Sequence, residues 1–145
     1  MSHHLVVRVI ARLLIPFILL YGLYVQFHGD FGPGGGFQAG VIFASAFILY
    51  ALVFGLANAR RVLPDGLVLV GIVLGVSLYA GVGVATLMLG GNLLDYNTLA
   101  HDPVHGQHFG ILTIEFGVGL TVASVMVAIF FAFAGRSREL DDKEE

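Results

Sequence analysis

Four apolar stretches, at about 5–27, 37–59, 66–89 and 110–134, decide what this chain can fold into. Each is longer than the roughly 20 residues a helix needs to cross about 30 Å of hydrocarbon. None alternates apolar and polar residues as a barrel strand does. A backbone surrounded by lipid must satisfy its own N–H and C=O groups, which leaves the helix as the form each stretch can take. The reading is an all-α integral membrane protein of four transmembrane helices, one domain over residues 1–145. Charged residues make up 12% of the chain, against roughly a quarter in soluble domains, which excludes an ordinary water-soluble fold. With no cysteine, disulfides, thiolate metal sites and cysteine nucleophiles are excluded too.

Basic residues orient the helices. Arg8 and Arg12 begin the first stretch, Arg60 and Arg61 lie between the second and third, and Arg136, Arg138 and Lys143 follow the fourth. The other two connections hold no Lys or Arg. Four spans put the three basic regions on one side, and the positive-inside rule makes that side the cytoplasm, with both termini in it. The first stretch exceeds the length of a signal-peptide core, and His28-Gly29-Asp30-Phe31-Gly32 is no small-x-small cleavage site, so it reads as an uncleaved anchor. The acidic stretch 136–145 reads as a solvated cytoplasmic tail.

The first outer connection runs His28-Gly29-Asp30-Phe31-Gly32-Pro33-Gly34-Gly35-Gly36. Five glycines and a proline in nine positions cannot hold a helix. Two readings stand open: a tight turn, or irregular backbone lining a polar cavity where protein covers it. Gly34-Gly35-Gly36-Phe37-Gln38-Ala39 formally matches a dinucleotide-binding pattern, but it follows an apolar span rather than a strand of a βαβ unit, so no nucleotide cofactor is read from it. The second outer connection, residues 90–109, contains His101, Asp102, His105 and His108; around Asp102-Pro103 it reads as a loose loop without metal-site geometry, and no metal or other cofactor is expected. Arg60 and Arg61 read as topology determinants that meet anionic headgroups. Gly36/Gly40 and Gly71/Gly75 are pairs four apart that let helices approach closely.

Glu115 is the one ionisable side chain placed well inside a span. A carboxylate there is costly unless protonated, paired or hydrated, which makes it a candidate for proton or cation handling. The bland alternative is an interhelical hydrogen bond, with Thr113, Gln38 or another subunit as neighbour. His108, seven residues earlier, falls on nearly the same helical face if the helix reaches that far, about 10 Å away. Glu115, His108 and Gln38 are therefore the ion-path candidates, with no catalytic residues in the enzymatic sense. His28, Pro33, Gly34, Gly35, Gly36 and Phe37 form the candidate structural motif of the turn.

His28-Gly29-Asp30-x-x-Pro33-Gly34-Gly35-Gly36-Phe37-Gln38-Ala39-Gly40, leaving a helix that starts with arginines, resembles the MnhB (MrpB) family of subunits of Mrp-type multisubunit sodium/proton antiporters, where the stretch reads approximately HGHxxPGGGFxxG. Glu115-Phe116-Gly117-Val118 is similar to that family's E-x-G-V element. Asp30 stands where the family pattern has histidine. The resemblance implies an accessory, non-enzymatic subunit in the cell membrane of a prokaryote, within a complex that exchanges sodium ions for protons. Its partners would be the other antiporter subunits and the bilayer, with no nucleic acid. The alternatives it leaves are the equivalent subunit of a membrane-bound hydrogenase-type complex, or a purely structural scaffold. One buried acid is too little for a complete transporter, since proton relays need chains of ionisable groups.

Overall fold

The computed structural model describes residues 2–29 and 32–144, with side chains described for 5–29 and 32–136. Asp30, whose departure from the family pattern is noted above, lies outside the described residues. Five α-helices and one 3₁₀ turn make up the described chain: α1 (Ser2–His28), α2 (Gly36–Phe54), α3 (Leu56–Val62), α4 (Asp65–Met88), the turn Tyr96–Leu99 and α5 (Pro103–Glu144). Four segments are long and apolar enough to cross a membrane: Leu5–His28, Gly36–Phe54, Asp65–Met88 and Pro103–Arg136. α1 packs on α2, α2 on α5 and α5 on α4, so α5 stands in the middle with a neighbour on either side.

Glycine sets how closely α5 is approached. On one side, Gly36 and Gly40 of α2 face the main chain of α5: a Cβ on Gly36 would run into the Glu115 carbonyl, and one on Gly40 would stand 2.6 Å from the Gly119 carbonyl. On the other, Gly71 and Gly75 of α4 lie against the hydroxyls of Ser124 and Thr121. The α5 side contributes its own small residues, because a Cβ on Gly117 would come within 2.9 Å of the Gly75 carbonyl. Backbones this close gain dispersion contacts, the main attraction between helices once both are already in hydrocarbon. Nearer the arginine end, Ala44, Ala51, Ala59, Val68, Val127 and Phe131 close a conventional apolar core.

Three boundaries differ from the sequence reading. The second stretch, expected as one helix over 37–59, breaks at Gly55, whose φ of 91° lies outside the helical region, and resumes as α3. Hydropathy counts residues and is blind to that backbone turn. The fourth helix begins at Pro103 rather than near 110. Asp102 caps it, its carboxylate accepting from the Val104 N–H at 3.1 Å, and proline at the first helical position loses no hydrogen bond. The third difference is at the far end, where α5 continues to Glu144 through the stretch read as a tail. At 42 residues α5 is about 63 Å long, twice the hydrocarbon thickness, so a hydropathy window recovers only its middle.

The connection from Leu89 to Asp102 is folded rather than loose. Thr86, fully buried, donates to the Gly83 carbonyl at 2.9 Å and accepts from the Leu94 N–H at 2.9 Å. The Gln107 amide donates to the Asn97 side-chain carbonyl at 3.1 Å. The Tyr96 ring lies across Gly110, where a Cβ would stand 2.5 Å from it. Burial, and then the neighbouring Tyr79, raise the Tyr96 pKa above its usual value near 10. The phenolate is thus disfavoured in the folded loop, whose stabilisation by Tyr96 is complete below about pH 10 and is lost as pH rises past that value. Limited proteolysis of this connection is expected to accelerate above about pH 10, and Tyr96→Phe to remove that pH-dependent component.

At the opposite end Arg60 does more than mark topology. Its guanidinium lies over the Phe131 ring at 5.8 Å, donates to the Phe131 carbonyl at 3.4 Å and pairs with Asp65 at 3.5 Å, joining α3, α4 and α5. Arg12 likewise covers Phe54, 5.4 Å from its ring centre.

Candidate functional site

Gly29 and Gly35, on either side of the turn between α1 and α2, stand against the side chain of Glu115. Gly32 N–H donates to the His28 carbonyl at 3.2 Å, and Gly35 N–H donates to the Val25 carbonyl at 3.1 Å, folding the turn back on the end of α1. Gly34 packs into that fold, where a Cβ would meet the Val25 carbonyl at 2.8 Å. Gly35 then adopts φ 106° and ψ 177°, a region open essentially to glycine alone, and becomes the residue that caps α2. The consequence is a glycine-walled seat. The two Glu115 carboxylate oxygens lie 2.6 and 2.7 Å from where a Gly29 Cβ would stand, and one lies 3.0 Å from the corresponding point on Gly35.

Electrostatics suit a carboxylate there. Gly35, the residue that caps α2, has no side chain with which to do so. The first turn of a helix leaves N–H groups without intrahelical partners and carries the positive end of the helix dipole. The half-buried Glu115 brings its carboxylate from another helix to that end. An acid in an apolar helix thereby meets polar backbone at the positive end of α2.

The other residues singled out from the sequence are placed as follows. His28 stacks on Tyr24, with ring centres 5.1 Å apart, and lies over Gly32. Pro33 is exposed on the turn and Phe37 at the start of α2. Gln38 is exposed on α2, whereas its neighbours Gly36, Ala39 and Gly40 are buried. Thr113 donates to the Phe109 carbonyl of its own helix at 2.8 Å. His108 is exposed on α5, two turns before Glu115 and on nearly the same face, about 10 Å away along the axis. His105 and Asp102 approach to 3.7 Å, both exposed. Among the described residues no three His, Asp or Glu side chains gather as a metal ion would require.

Sequence reasoning missed Gln26. Its side-chain oxygen lies 2.6 Å from where a Gly119 Cβ would stand, one helical turn along α5 from Glu115, and the residue is only 7% exposed. The available signal was a lone amide in the last turn of an apolar span, which passes for a residue at the membrane boundary when only the sequence is seen. Gly29 was likewise counted as part of a turn and not as a wall of the Glu115 seat.

Changing Gly35 tests the seat without touching the acid. Gly35→Ala forces a side chain into its unfavourable backbone region, at about 1–3 kcal/mol, and moves a methyl against the carboxylate. The expected outcome is a complex that dissociates at lower temperature on native gels, measured against an Ala substitution at Gly66, which faces open space.

Comparison with known proteins gives the arrangement a family. Residues 6–128 match the family described as a domain related to the MnhB subunit of Na+/H+ antiporter. A Staphylococcus haemolyticus (strain JCSC1435) protein named as antiporter subunit mnhB2 is 36% identical over 141 residues, covering 92% of this chain and 96% of the relative. A protein of the same name from Staphylococcus aureus (strain Newman) is 32% identical over 138 residues, with the same coverage. With four membrane-capable helices and a family match over most of its length, the chain belongs to the MnhB family.

Proposed function

We propose that this chain is an accessory subunit of a multisubunit sodium/proton antiporter, and that Glu115 is the point at which it takes part in ion movement. Family membership and the relatives' names support the first part. The observation that carries the second is the carboxylate of Glu115 seated among Gly29 and Gly35 at the N-terminus of α2. A carboxylate binds a proton or a sodium ion in competition, and that competition is the elementary requirement of exchange. The positive end of the α2 dipole faces that carboxylate, as a site for exchangeable charge requires. His108, exposed two turns further along α5, is the candidate group passing protons between water and Glu115 through bridging water. Gln38, exposed beside the turn, is a candidate for the same entry.

The positive-inside rule supports an arginine end in the cytoplasm and a glycine turn outside, and family membership supports a prokaryotic cell membrane as the setting. Glu115 therefore lies toward the external face, with partner subunits completing the passage. A second reading has a specific basis: glycines pack both flanks of α5, and in a scaffold subunit Glu115 would serve only to cap α2. Exchange by Glu115→Gln in everted vesicles separates the two, because a cap tolerates an amide and an ion site does not.

A further inference from the structure

A long open trough of about 380 Å³ runs between α1 and α4 over the face of α5. Its walls are apolar: Phe27, Phe43, Leu67 and Leu74 among others. Along α5 it is lined from Phe116 to Val127, 11 residues apart, or about 16 Å at the rise of a helix. Its floor includes Ala123 and Ser124, small residues over which another helix axis can come close.

One residue makes the trough more than an unpartnered apolar face. Gln26 lies at one end, more than nine-tenths buried, with its amide opening on to the trough. Among the described residues no hydrogen bond reaches that amide, and neither its nitrogen nor its oxygen is fully sealed away. An amide has two donors and an acceptor to satisfy, and in hydrocarbon an unmet amide is costly. A lipid acyl chain filling the trough would leave it unmet. Water at that end would have the amide as its one near partner, since the Ser124 hydroxyl lies five residues past Gly119, about 7 Å further along α5, and that is too few for a stable site. A helix bearing a polar side chain at that level satisfies both demands: apolar contact along the trough and a hydrogen bond at its end.

We propose that the trough seats a transmembrane helix of another subunit of the complex, and that this helix presents a hydrogen-bonding side chain to Gln26. The inference rests on the subunit reading above. Through Gly119, beside which Gly36 also packs, the docked helix is joined to the α2–α5 contact that positions Glu115.

The test uses the whole complex in membranes. A photo-crosslinking amino acid is placed at Leu67 or Leu74 in the trough, and at Phe17, exposed on α1 and outside the trough, as the comparison. Crosslinks from the trough positions to one span of one other subunit, mapped by mass spectrometry to a segment with a polar side chain level with Gln26, are the expected result. Gln26→Leu is expected to lower that yield roughly three- to twenty-fold, the range for an interhelical hydrogen bond in a membrane. Trough crosslinks to lipid alone or to a second copy of this chain, or a yield that Gln26→Leu leaves unchanged, would overturn the proposal. Where Gln26→Leu does not accumulate, the crosslink map of the chain with Gln26 intact decides. If the chain co-purifies with antiporter subunits but its trough meets only lipid, this inference fails and the function stands; a chain migrating alone on native gels sinks both.

Discussion

Replacing Glu115 by glutamine is expected to cut sodium/proton exchange by roughly tenfold or more while the complex still assembles, the scale at which removing a proton-transferring group acts. The substitution keeps the shape of the side chain, so the seat formed by Gly29 and Gly35 stays filled. A polar group still faces the N-terminus of α2, and the lost charge–dipole attraction is about 0.3–1 kcal/mol. Stability therefore changes little. What disappears is the ability to hold a proton at one moment and a cation or net charge at the next. The measurement is dissipation of an acid gradient by added sodium in everted vesicles, with complex content read from native gels. Full exchange by the variant would remove Glu115 from the ion path and leave the scaffold reading. Glu115→Asp withdraws the carboxylate by one methylene from Gly29 and is expected to fall between the two.

The second large effect is on assembly. Gly36→Ala places a methyl where the Glu115 carbonyl already stands, with the Gly119 nitrogen 3.0 Å away. Both obstacles are main chain, and no side chain can rotate to make room. α2 and α5 must separate, at a cost of about 1–3 kcal/mol or more for an overpacked contact. The expected result is loss of the assembled complex from native gels and faster degradation of this chain. Gly81 is the internal comparison, because nothing stands within 4 Å of the Cβ it lacks. Alanine there relieves a helix interior of glycine, a gain of about 0.5–1 kcal/mol, so Gly81→Ala is expected to be neutral or stabilising. Equal damage from both substitutions would mean that backbone approach at Gly36 is not what holds α2 to α5.

These two experiments bear on different layers of the same contact. Gly36 determines how near α2 stands to α5, and that distance determines where the Glu115 carboxylate meets the turn. A variant that loosens Gly36 is therefore expected to lose exchange together with assembly, whereas Glu115→Gln separates them.

Much of this architecture was legible in the residues themselves. The number of spans follows from length and hydropathy alone, since about 20 apolar residues have no other stable place than a membrane or a core this chain is too small to build. Glu115 stood out for the same reason: its cost in hydrocarbon depends on composition, not on contacts. The glycine pairs Gly36/Gly40 and Gly71/Gly75 were visible as close-packing faces. That both meet α5, on opposite sides, required the fold. The break at Gly55 and the start at Pro103 escaped hydropathy because they depend on backbone conformation and on the cap supplied by Asp102.

The sequence by itself determined that the chain spans a membrane four times and carries one acid inside, because both facts are sums over local residue properties. Only the tertiary structure decided what that acid meets. Gly29, Gly35 and Gly36 are distant from Glu115 along the chain, and a glycine announces nothing of its neighbour, since its contribution is the side chain it lacks. Gln26 is the same case in reverse: a polar residue near the end of an apolar span, passed over until α5 was packed beside it. Proximity across helices is a property of the packing, and no residue type encodes it alone.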